Sequence, residues 1–593
     1  MGGPAGAGMA PGPPEWDRTR MRQIGKRRSG LRRVRWKGLA AMDRKQVPLR
    51  VVTVAVAIMC LWAFASPRAA EAQDPEKAVW EKLQAKGAVI AGIDIRIINV
   101  FDPAGPESRY WFARAADFIH ITTREHVVRR ELQFKVGDPV DASKIIDSER
   151  ALRYSLDIAR DATILPERVE GHKVWVLVVF KDAWTLGLDA NYGHVGGQNK
   201  YTFRIHERNF LGLGKGLLIS HQRTFERSIN EFAYYDPQLF GSLWTLNTNY
   251  QQLSDGRARL FDVAYPFYTV DTPFSFEVKA TDALETLTLY NLTHSVYAMR
   301  NLDQYVTATA TWAYHVEGFT AYRIGLGLVS QQSRYFDFAT YRPGYLPPLD
   351  VADRRLRGPE VTWEWFQDRY RDFEDMATIG RGENYNLGWD VQAALGYYGR
   401  SFGSAGTGPF FSLAATKGWV PDEENLLLER ASLAGRREFG TWRNLFLTQE
   451  TTWYNQAFPY QTLAGDLRID WGQRPDPENW LYLGGIDGMR GYPNHFLAGD
   501  RRWIFSFEDR VITPWSLWGL ARVGFVGYVD AGAIRAFGAS GWGKTYSDVG
   551  GGLRFGNLKA RTAQVLELTV AVPLVKTPLT KGYEIVAGTV IRF

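Results

Sequence analysis

The scarcest residue in this 593-residue sequence is cysteine, which occurs once, as Cys60 near the amino terminus. The rest of the chain therefore has no thiol chemistry and no means of forming a disulfide. Nine histidines are scattered without the spacing of metal ligands. The sequence also lacks a phosphate-binding loop, a His-Glu-x-x-His zinc motif and a Gly-x-Ser-x-Gly nucleophile motif. These absences indicate a protein that is not an enzyme and that uses neither a cofactor nor a metal.

Net charge is low once the amino-terminal segment is set aside. The formal charge of the whole chain is +7, yet residues 1–50 alone carry 13 Lys and Arg against 3 Asp and Glu. The basic isoelectric point of about 9.1 therefore comes from this segment. The slightly acidic remainder gives no case for binding nucleic acid.

Long apolar runs are also missing, with one exception at residues 51–66. This run follows three basic residues and precedes the small-x-small sequence Ala70-Glu71-Ala72. It is shorter than the ~20 residues that a membrane-spanning helix needs. The pattern predicts a secretory signal peptide cleaved before Gln73. Met42 is an alternative start, which would place the signal peptide at 42–72 and leave 1–41 as a basic extension from a mis-assigned start.

What the chain has in excess is aromatic residues. They make up 14% of the sequence, with 21 Trp and 28 Tyr. Such amphipathic rings collect at membrane interfaces. An exported, aromatic-rich chain without helical spans is either a soluble periplasmic protein or an outer-membrane β-barrel.

From Trp184 onward, the sequence is a succession of short segments that alternate apolar and polar residues and end in turn signals. An array of soluble β-sandwiches would give a similar pattern. Residues 565–574 argue against sandwiches, because one face is entirely aliphatic and the other is small and polar. An aliphatic face of that length suits lipid. We therefore expect a transmembrane antiparallel β-barrel over residues 184–593.

A glycine-rich stretch at residues 483–500 interrupts these segments, with one cation, Arg490, at its centre. It is too rich in glycine for a strand and too apolar for a solvated loop, so we expect it to fold into the barrel lumen. A guanidinium inside a lumen needs a carboxylate partner. Strand parity places Asp530 and Glu508 on inward faces of the strands that follow.

Two motifs here resemble those of the BamA/TamA superfamily of outer-membrane assembly and translocation barrels. Gly484-Gly485 with Met489-Arg490-Gly491-Tyr492 resembles its inward-folded loop, whose usual form is Val-Arg-Gly-Phe/Tyr. Tyr528-Val529-Asp530-Ala531-Gly532 resembles its Phe/Tyr-x-Asp-x-Gly strand, and residues 209–214 and 235–241 resemble phrases of its early barrel.

The resemblance implies a barrel of 16 strands and makes Asp530 the expected partner of Arg490, with Glu508 as the second candidate. Gly485 and Gly491 would let the loop backbone pass close to the wall. The ion pair would then either lock the loop or simply anchor a plug in the pore.

Residues 90–183 precede the barrel and carry signals for a β-α-α-β-β order, after a short lead-in at 73–89. Strands are predicted near Ile93–Ile97, 162–165 and 174–180. One helix is predicted to begin at a Thr122-Thr123-Arg124-Glu125 capping box and another at Asp141. This order resembles the POTRA domain of the same superfamily. Such domains bind client chains by adding a strand to a sheet edge; the alternative is a spacer with the same fold.

The end of the chain is an alternating strand in which Gly588, Ile591 and Phe593 form a Gly-x-x-Φ-x-Φ pattern. It resembles the signal that delivers outer-membrane barrels to their assembly machine; the alternative is an ordinary last strand. Five strands are predicted after the Arg490 loop. More than the eleven implied by the resemblance are predicted before it, which indicates either loop hairpins or a larger barrel. Tyr335–Glu360 is predicted to be a long extracellular loop.

Two functions fit this sequence. The first is an outer-membrane assembly, insertion or translocation factor whose barrel opens between its first and last strands. Its partners would be outer-membrane lipids, unfolded client proteins in the periplasm, and accessory proteins of the periplasm or inner membrane. The second is a channel or receptor barrel for small solutes, with the Arg490 loop restricting the pore. The resemblance, which covers roughly residues 90–593, favours the first. It implies the outer membrane of a Gram-negative-type bacterium, with the POTRA-like domain in the periplasm.

Overall fold

The computed structural model describes residues 75–100, 120–154, 158–341, 349, 351–380, 382–517, 521–557 and 565–590. They form a small α/β domain followed by a β-barrel. The signal peptide and the alternative start predicted before residue 73 lie outside the described residues, as do Ile591 and Phe593 of the carboxy-terminal pattern.

The α/β domain is built on a three-stranded sheet. Its elements are α1 Pro75–Ala85, β1 Val89–Ile98, α2 Glu125–Arg130, α3 Ala142–Tyr154, β2 Ala159–Glu170 and β3 Lys173–Asp182. The central strand β3 is parallel to β1 and antiparallel to β2. Alternate residues of β3, from Val174 to Phe180, are fully buried against the helices. This is the β-α-α-β-β order expected from the sequence, and it leaves β1 and β2 as the sheet edges.

The capping box predicted for α2 is wrong. The N-cap residue is Arg124, and no side chain caps the helix start. The residue after the predicted cap, Thr123, donates its backbone N–H and its hydroxyl to Asp182, at 2.9 and 2.5 Å. Asp182 is fully buried at the end of β3 and needs these donors. The contact holds Thr123 outside the helix, although a cap at Thr122 would make it the first helical residue. Helix α3 begins as predicted, with Asp141 accepting the N–H of Ser143 at 3.0 Å.

The barrel is closed and antiparallel, and it has 20 strands in the described part of the chain. The expected number of 16 is therefore wrong. The barrel strands are β4 Leu186–Val195, β5 Gln198–Glu207, β6 Gly216–Arg223, β7 Ser228–Asp236, β8 Thr245–Leu253, β9 Gly256–Tyr265, β10 Phe274–Asn291, β11 His294–Glu317, β12 Thr320–Thr340, β13 Arg354–Gln367, β16 Asp390–Tyr398, β17 Gly408–Asp422, β18 Asn425–Glu438, β19 Thr441–Asn455, β20 Gln461–Gln473, β23 Arg501–Leu517, β24 Ala521–Arg535, β25 Tyr546–Asn557, β26 Val565–Pro573 and β27 Glu584–Val590.

The extra strands all lie before the Arg490 loop. Five strands follow that loop, as predicted, and fifteen precede it. The alternating segments at the start of the barrel are therefore wall strands rather than loop hairpins. The long loop predicted at Tyr335–Glu360 is also too long, because β12 continues to Thr340 and β13 begins at Arg354.

The two faces of the barrel wall differ sharply in burial. On β26, Leu566, Leu568 and Val570 are 44–47% exposed, while Glu567 and Thr569 between them are 5% and 2% exposed. The outward residues are aliphatic and the inward ones polar, which is the pattern of a wall that faces lipid. Closure of the sheet pairs the strand edges that hydrocarbon cannot solvate.

Among the described residues, no helix combines the length and the apolar character needed to cross a membrane.

Strand direction defines two ends of the barrel. Strand β4 follows β3 directly, so it begins at the end of the barrel next to the α/β domain. The connection from β4 to β5, and every second connection after it, therefore lies at the opposite end. We call these the domain end and the far end. The loop of residues 474–500, between β20 and β23, lies at the far end. The connection of residues 368–389, between β13 and β16, lies at the domain end.

Candidate functional site

The far-end loop of residues 474–500 folds into the barrel and packs there as a core does. Its short strands β21 Leu481–Leu483 and β22 Leu497–Gly499 pair with each other. Met489 and Tyr492, on either side of Arg490, are fully buried against Ile504 of the wall. The loop is thus held by apolar contacts as well as by charge.

Arg490 is clamped by two carboxylates. Its Nε and Nη2 donate to the two oxygens of Asp530 at 2.7 and 2.6 Å, and its Nη1 donates to Glu508 Oε1 at 2.8 Å. Nη2 also donates to Ser506 Oγ at 2.9 Å, and the guanidinium lies 3.3 Å from the centroid of the Tyr528 ring. Both candidate partners from the sequence therefore contact the guanidinium, with Asp530 as the bidentate one.

The clamp lies out of water. Arg490 is 5% exposed, Glu508 2% and Asp530 0%. Coulombic attraction is strong in such a place, and loss of one partner leaves the other charge buried. Removing one member of a buried pair costs about 3–5 kcal/mol. The arrangement can therefore hold the loop firmly in one position.

Glycine is required where the loop backbone meets the wall. A Cβ on Gly491 would lie 2.7 Å from the Cβ of Asp548, which pairs with Asp530 across β24 and β25. A Cβ on Gly532 would lie 3.1 Å from Met489 Sδ. Any larger side chain at either position would push the loop away from the wall.

Tyr492 ties the loop to the strands that close the barrel. Its hydroxyl lies 2.8 Å from the carbonyl oxygen of Ser547, at the far end of β25, and 3.2 Å from that of Val575. Both residues sit beside the last strands of the wall. The loop therefore contacts the wall on two sides of Arg490.

Asn494 is a functional candidate that the motifs did not identify. Its Nδ2 donates to Val195 O at 3.0 Å and to Gln198 Oε1 at 3.1 Å, in the hairpin of β4 and β5. Gly485 packs at the same place, where its Cβ would lie 3.0 Å from the Cα of Gly196. The loop thus reaches the first hairpin of the barrel. Its position two residues past the resembling motif was the available signal.

The joint between the first and last strands is the thinnest in the described barrel. Strand β4 pairs with β5 along its whole length, but it pairs with β27 only at His194 and Ala587. Gly588 lies against Gly193, with the Cα of Gly193 3.4 Å from where a Cβ of Gly588 would stand. We call this joint the seam.

The domain-end connection also enters the lumen, which the sequence analysis missed. Its strands β14 Tyr370–Glu374 and β15 Gly382–Asn386 form what we call the interior hairpin. Met376 and Ile379, between them, are 2% and 1% exposed. Apolar residues in an otherwise polar turn were the available signal.

Arg510 joins the interior hairpin to the clamp. Its Nε donates to Glu508 Oε2 at 2.9 Å, and its Nη1 donates to Met376 O at 2.6 Å. Glu508 thus contacts both arginines. Arg490 belongs to the loop that enters from the far end, and Arg510 holds the tip of the interior hairpin, which enters from the domain end. Arg554 supports the same tip, donating to Ala377 O at 3.0 Å.

Two domain-end turns dock on the α/β domain. Asn209 Nδ2 donates to Thr123 Oγ1 at 2.9 Å, and Gln238 Nε2 donates to Glu131 Oε1 at 2.6 Å. Burial raises the pKa of the Glu131 carboxyl above its ordinary value. These turns are the two phrases that resembled the early barrel. We call this contact the domain joint.

The charges of the site are paired with one another, as the guanidinium of Arg490 with the carboxylates of Asp530 and Glu508. In the described part of the chain, no cluster of His, Cys, Asp and Glu could hold a metal ion. A closed barrel with a lipid-facing aliphatic wall, and with loops packed into its lumen, is an outer-membrane β-barrel protein.

Several solved structures are similar to this chain. They include BamA from Haemophilus ducreyi lacking POTRA domains 1–3, at 13% identity, with 84% of each chain covered and a TM-score of 0.40. CdiB from Acinetobacter baumannii is similar at 11% identity over 93% of this chain and 99% of that one, with a TM-score of 0.37. CdiB from Escherichia coli is similar at 10% identity with the same coverage and a TM-score of 0.34. No family model matches the sequence, and no curated protein matches it.

Proposed function

We propose that this protein is an outer-membrane assembly or translocation factor of the BamA/TamA type, which admits client chains at the seam. The observation that carries the proposal is the single residue pair, His194 with Ala587, that closes the described seam. A barrel that only needs to hold a pore gains nothing from so short a ladder.

A parted seam would expose the backbone groups of β4 and β27 to a client. Unpaired strand edges recruit another strand, and hydrocarbon makes that pairing more favourable because no water competes. A client strand would add to the open edge, and closure of the client's own barrel would release it. No nucleotide is needed for such a cycle.

The Arg490 loop supports the seam from inside. Arg490 is clamped to β23 and β24, while Asn494 contacts the β4–β5 hairpin on the other side of the seam. The loop therefore spans the interior from late strands to the first hairpin. Its role here is to set the position at which the seam closes and reopens.

The α/β domain would face the periplasm and capture clients. Its edge strand β2 exposes Leu165 and Val169, which are 42% and 47% accessible. An extended client segment can add to such an edge through backbone hydrogen bonds. Unfolded clients, membrane lipids and accessory proteins of the periplasm or inner membrane are the partners that this role needs. If the domain were only a spacer, no client segment would need to add to the edge of β2.

The proposal is tested by locking the seam. His194→Cys and Ala587→Cys stand directly opposite and should form a disulfide under oxidation. We expect oxidised cells to lose client barrels from the outer membrane and to recover them on reduction. The matched control is Asn191→Cys with Thr202→Cys, a facing pair on β4 and β5 that need not part. Normal client levels with a fully oxidised seam would exclude opening at this joint and favour a solute channel.

A further inference from the structure

The outer wall of the barrel carries a groove of about 530 Å³ on strands β8–β13. Its lining includes Phe261, Ala280 and Val306, which are apolar, and Arg259 and Arg357, which are charged. Nothing in the proposed client cycle uses this groove. It lies across the wall from the lumen, on the face that meets lipid.

Strand parity fixes the outward direction of the groove. Phe261 and Val306 are 50% and 44% exposed. The residues of opposite parity on the same strands point inward. There Ser333 donates to Asp303 at 2.6 Å, and Arg354 contacts Asp476 of the far-end loop of residues 474–500 at 3.1 Å. The groove therefore opens on the outer surface of β8–β13, whereas the clamp lies in the lumen against β23 and β24.

Polarity changes abruptly along the groove. Three rows of outward residues lie side by side across the paired strands, in order from the far end toward the domain end. The first is Tyr250, Arg259, Asp282, Gln304, Gln332 and Arg355; the second is Thr248, Phe261, Ala280, Val306, Ser330 and Arg357; the third is Leu246, Val263, Val278, Ala308, Leu328 and Pro359. The wall thus passes from polar to apolar within about 14 Å, the length of four strand residues. Such a step marks the boundary between headgroups and acyl chains.

The charge of the groove is positive. Asp282 is the single acid in the three rows, and it is occupied by Gln304 at 3.0 Å and Arg257 at 3.6 Å. Arg259, Arg355 and Arg357 have no carboxylate partner among the described residues, and Arg357 Nε donates only to Ser330 Oγ at 3.1 Å. Arginine in this state is suited to bind phosphate.

We propose that this groove binds the phosphorylated headgroup of a glycolipid in the outer leaflet, with an acyl chain along the third row, which is apolar. Arg259 and Arg357 lie on strands four positions apart, so their Cα atoms are separated by about 19 Å. A headgroup that engages both is large and carries more than one anionic group. Inorganic phosphate alone would leave the apolar row unused.

The inference rests on the orientation given in the proposed function, with the far end outward, and not on client insertion. Binding by purified protein in detergent does not depend on orientation in the cell. Labelling of Ser540→Cys in intact cells reports that orientation by itself. Failure of the lipid site and failure of the proposed function are therefore recognised separately.

The test is a lipid titration of the delipidated full-length protein in nonionic detergent, followed by native mass spectrometry. The probes are bisphosphorylated lipid A, the same lipid with both phosphates removed, and phosphatidylglycerol. We expect the first to bind about tenfold more tightly than the other two, since charge-assisted hydrogen bonds at a membrane surface are strong. Arg259→Gln with Arg357→Gln should remove that tenfold preference.

The matched control is Arg223→Gln, an outward arginine at the far end of β6 that lies outside the groove and contacts Ser228. It should bind bisphosphorylated lipid A as the unaltered protein does, and heat-modifiable mobility should show that every variant is folded. Equal binding of the three lipids would overturn the proposal. So would an equal loss in Arg223→Gln, displacement of the lipid by millimolar phosphate, or an unchanged preference in the double variant.

Discussion

Arg490 is held by two carboxylates, and this decides what a substitution there would do. Truncation takes the Arg490 guanidinium away from both Asp530 and Glu508, but Glu508 keeps its contact with Arg510. The uncompensated charge therefore falls mainly on Asp530. A lysine keeps the charge but cannot make the bidentate contact.

We expect Arg490→Ala to destabilise the folded barrel by about 3–5 kcal/mol. Asp530→Ala should have a similar effect, and the double variant should cost less than the sum by at least about 1 kcal/mol, because the two residues contact each other. The measurement is the temperature at which heat-modifiable mobility is lost. For Arg490→Lys, this temperature should lie between those of Arg490→Ala and the unaltered protein.

Arg468→Ala is the control for the clamp. Arg468 also contacts an inward carboxylate, Asp470, but its side chain is 40% exposed. Exposed ion pairs contribute about 1 kcal/mol or less. Strictly additive effects of Arg490→Ala and Asp530→Ala would contradict an energetic coupling between these two residues. Glu508 would then be the next partner of Arg490 to test.

Glu131 gives the domain joint a pH dependence. Burial raises the pKa of its carboxyl, against the opposing effect of the hydrogen bond from Gln238. The folded state therefore binds the proton more tightly than the unfolded state. The resulting stabilisation is full below the ordinary pKa of glutamate and is lost as pH rises through the raised folded value.

We expect Glu131→Gln to remove this pH dependence and to strengthen the domain joint at neutral pH. The measurement is the rate of proteolysis between β3 and β4 across a pH series. Glu125→Gln on the same helix is the control, since Glu125 is exposed and pairs with Arg129 at the surface. A pH profile that is the same in Glu131→Gln and in the unaltered protein would show that another group is responsible.

At the scale of elements, the interior hairpin changes how the lumen is closed. The Arg490 loop enters from the far end and the hairpin from the domain end. Arg510 donates to Met376 of the hairpin and to Glu508, which in turn contacts Arg490 of the loop. The base of the hairpin is also tied to helix α3, where Arg150 donates to Asp368 at 2.7 Å. A movement of the α/β domain therefore has a physical route to the clamp.

Replacing residues 372–384 by a short Gly-Ser linker should open the domain-end half of the lumen. We expect a severalfold rise in single-channel conductance in planar bilayers, together with a lower temperature of heat modification, because Arg510 loses its carbonyl partner. Gly-Gly in place of Glu423-Glu424, an exposed domain-end turn between β17 and β18, is the control and should change neither quantity. An unchanged conductance in the linker variant would mean that the Arg490 loop alone closes the pore.

At the scale of the whole molecule, the proposed orientation follows from chain direction. The α/β domain precedes β4, so it and the far-end loops lie on opposite sides of the membrane. Cys60 is the only cysteine, and it lies in the predicted leader. Single introduced cysteines in the cleaved protein are therefore labelled without background.

We expect Ser540→Cys, in an exposed far-end loop, to react with a membrane-impermeant maleimide in intact cells. Glu170→Cys, at the exposed end of β2 in the α/β domain, should react only after the outer membrane is permeabilised. Recovery of folded protein in the soluble periplasmic fraction would contradict the membrane location itself. Reaction of Glu170→Cys in intact cells would reverse the orientation.

The sequence by itself determined the local pattern of this protein. Alternation in residues 565–574 predicts both the strand and its lipid face, because side-chain direction in a strand depends only on parity. The same parity predicted the inward positions of Glu508 and Asp530. The mostly β fold and the five strands after the Arg490 loop follow from such local periods.

The tertiary structure decided which segments meet. The count of 20 strands, the path of Met376 into the lumen and the Asn494 contact to the first hairpin each join residues far apart in sequence. The capping box failed for the same reason, because the contact of Thr123 with Asp182, 59 residues away, holds Thr123 outside the helix. Local patterns carry no information about such partners, since burial and charge compensation arise only once the barrel has closed.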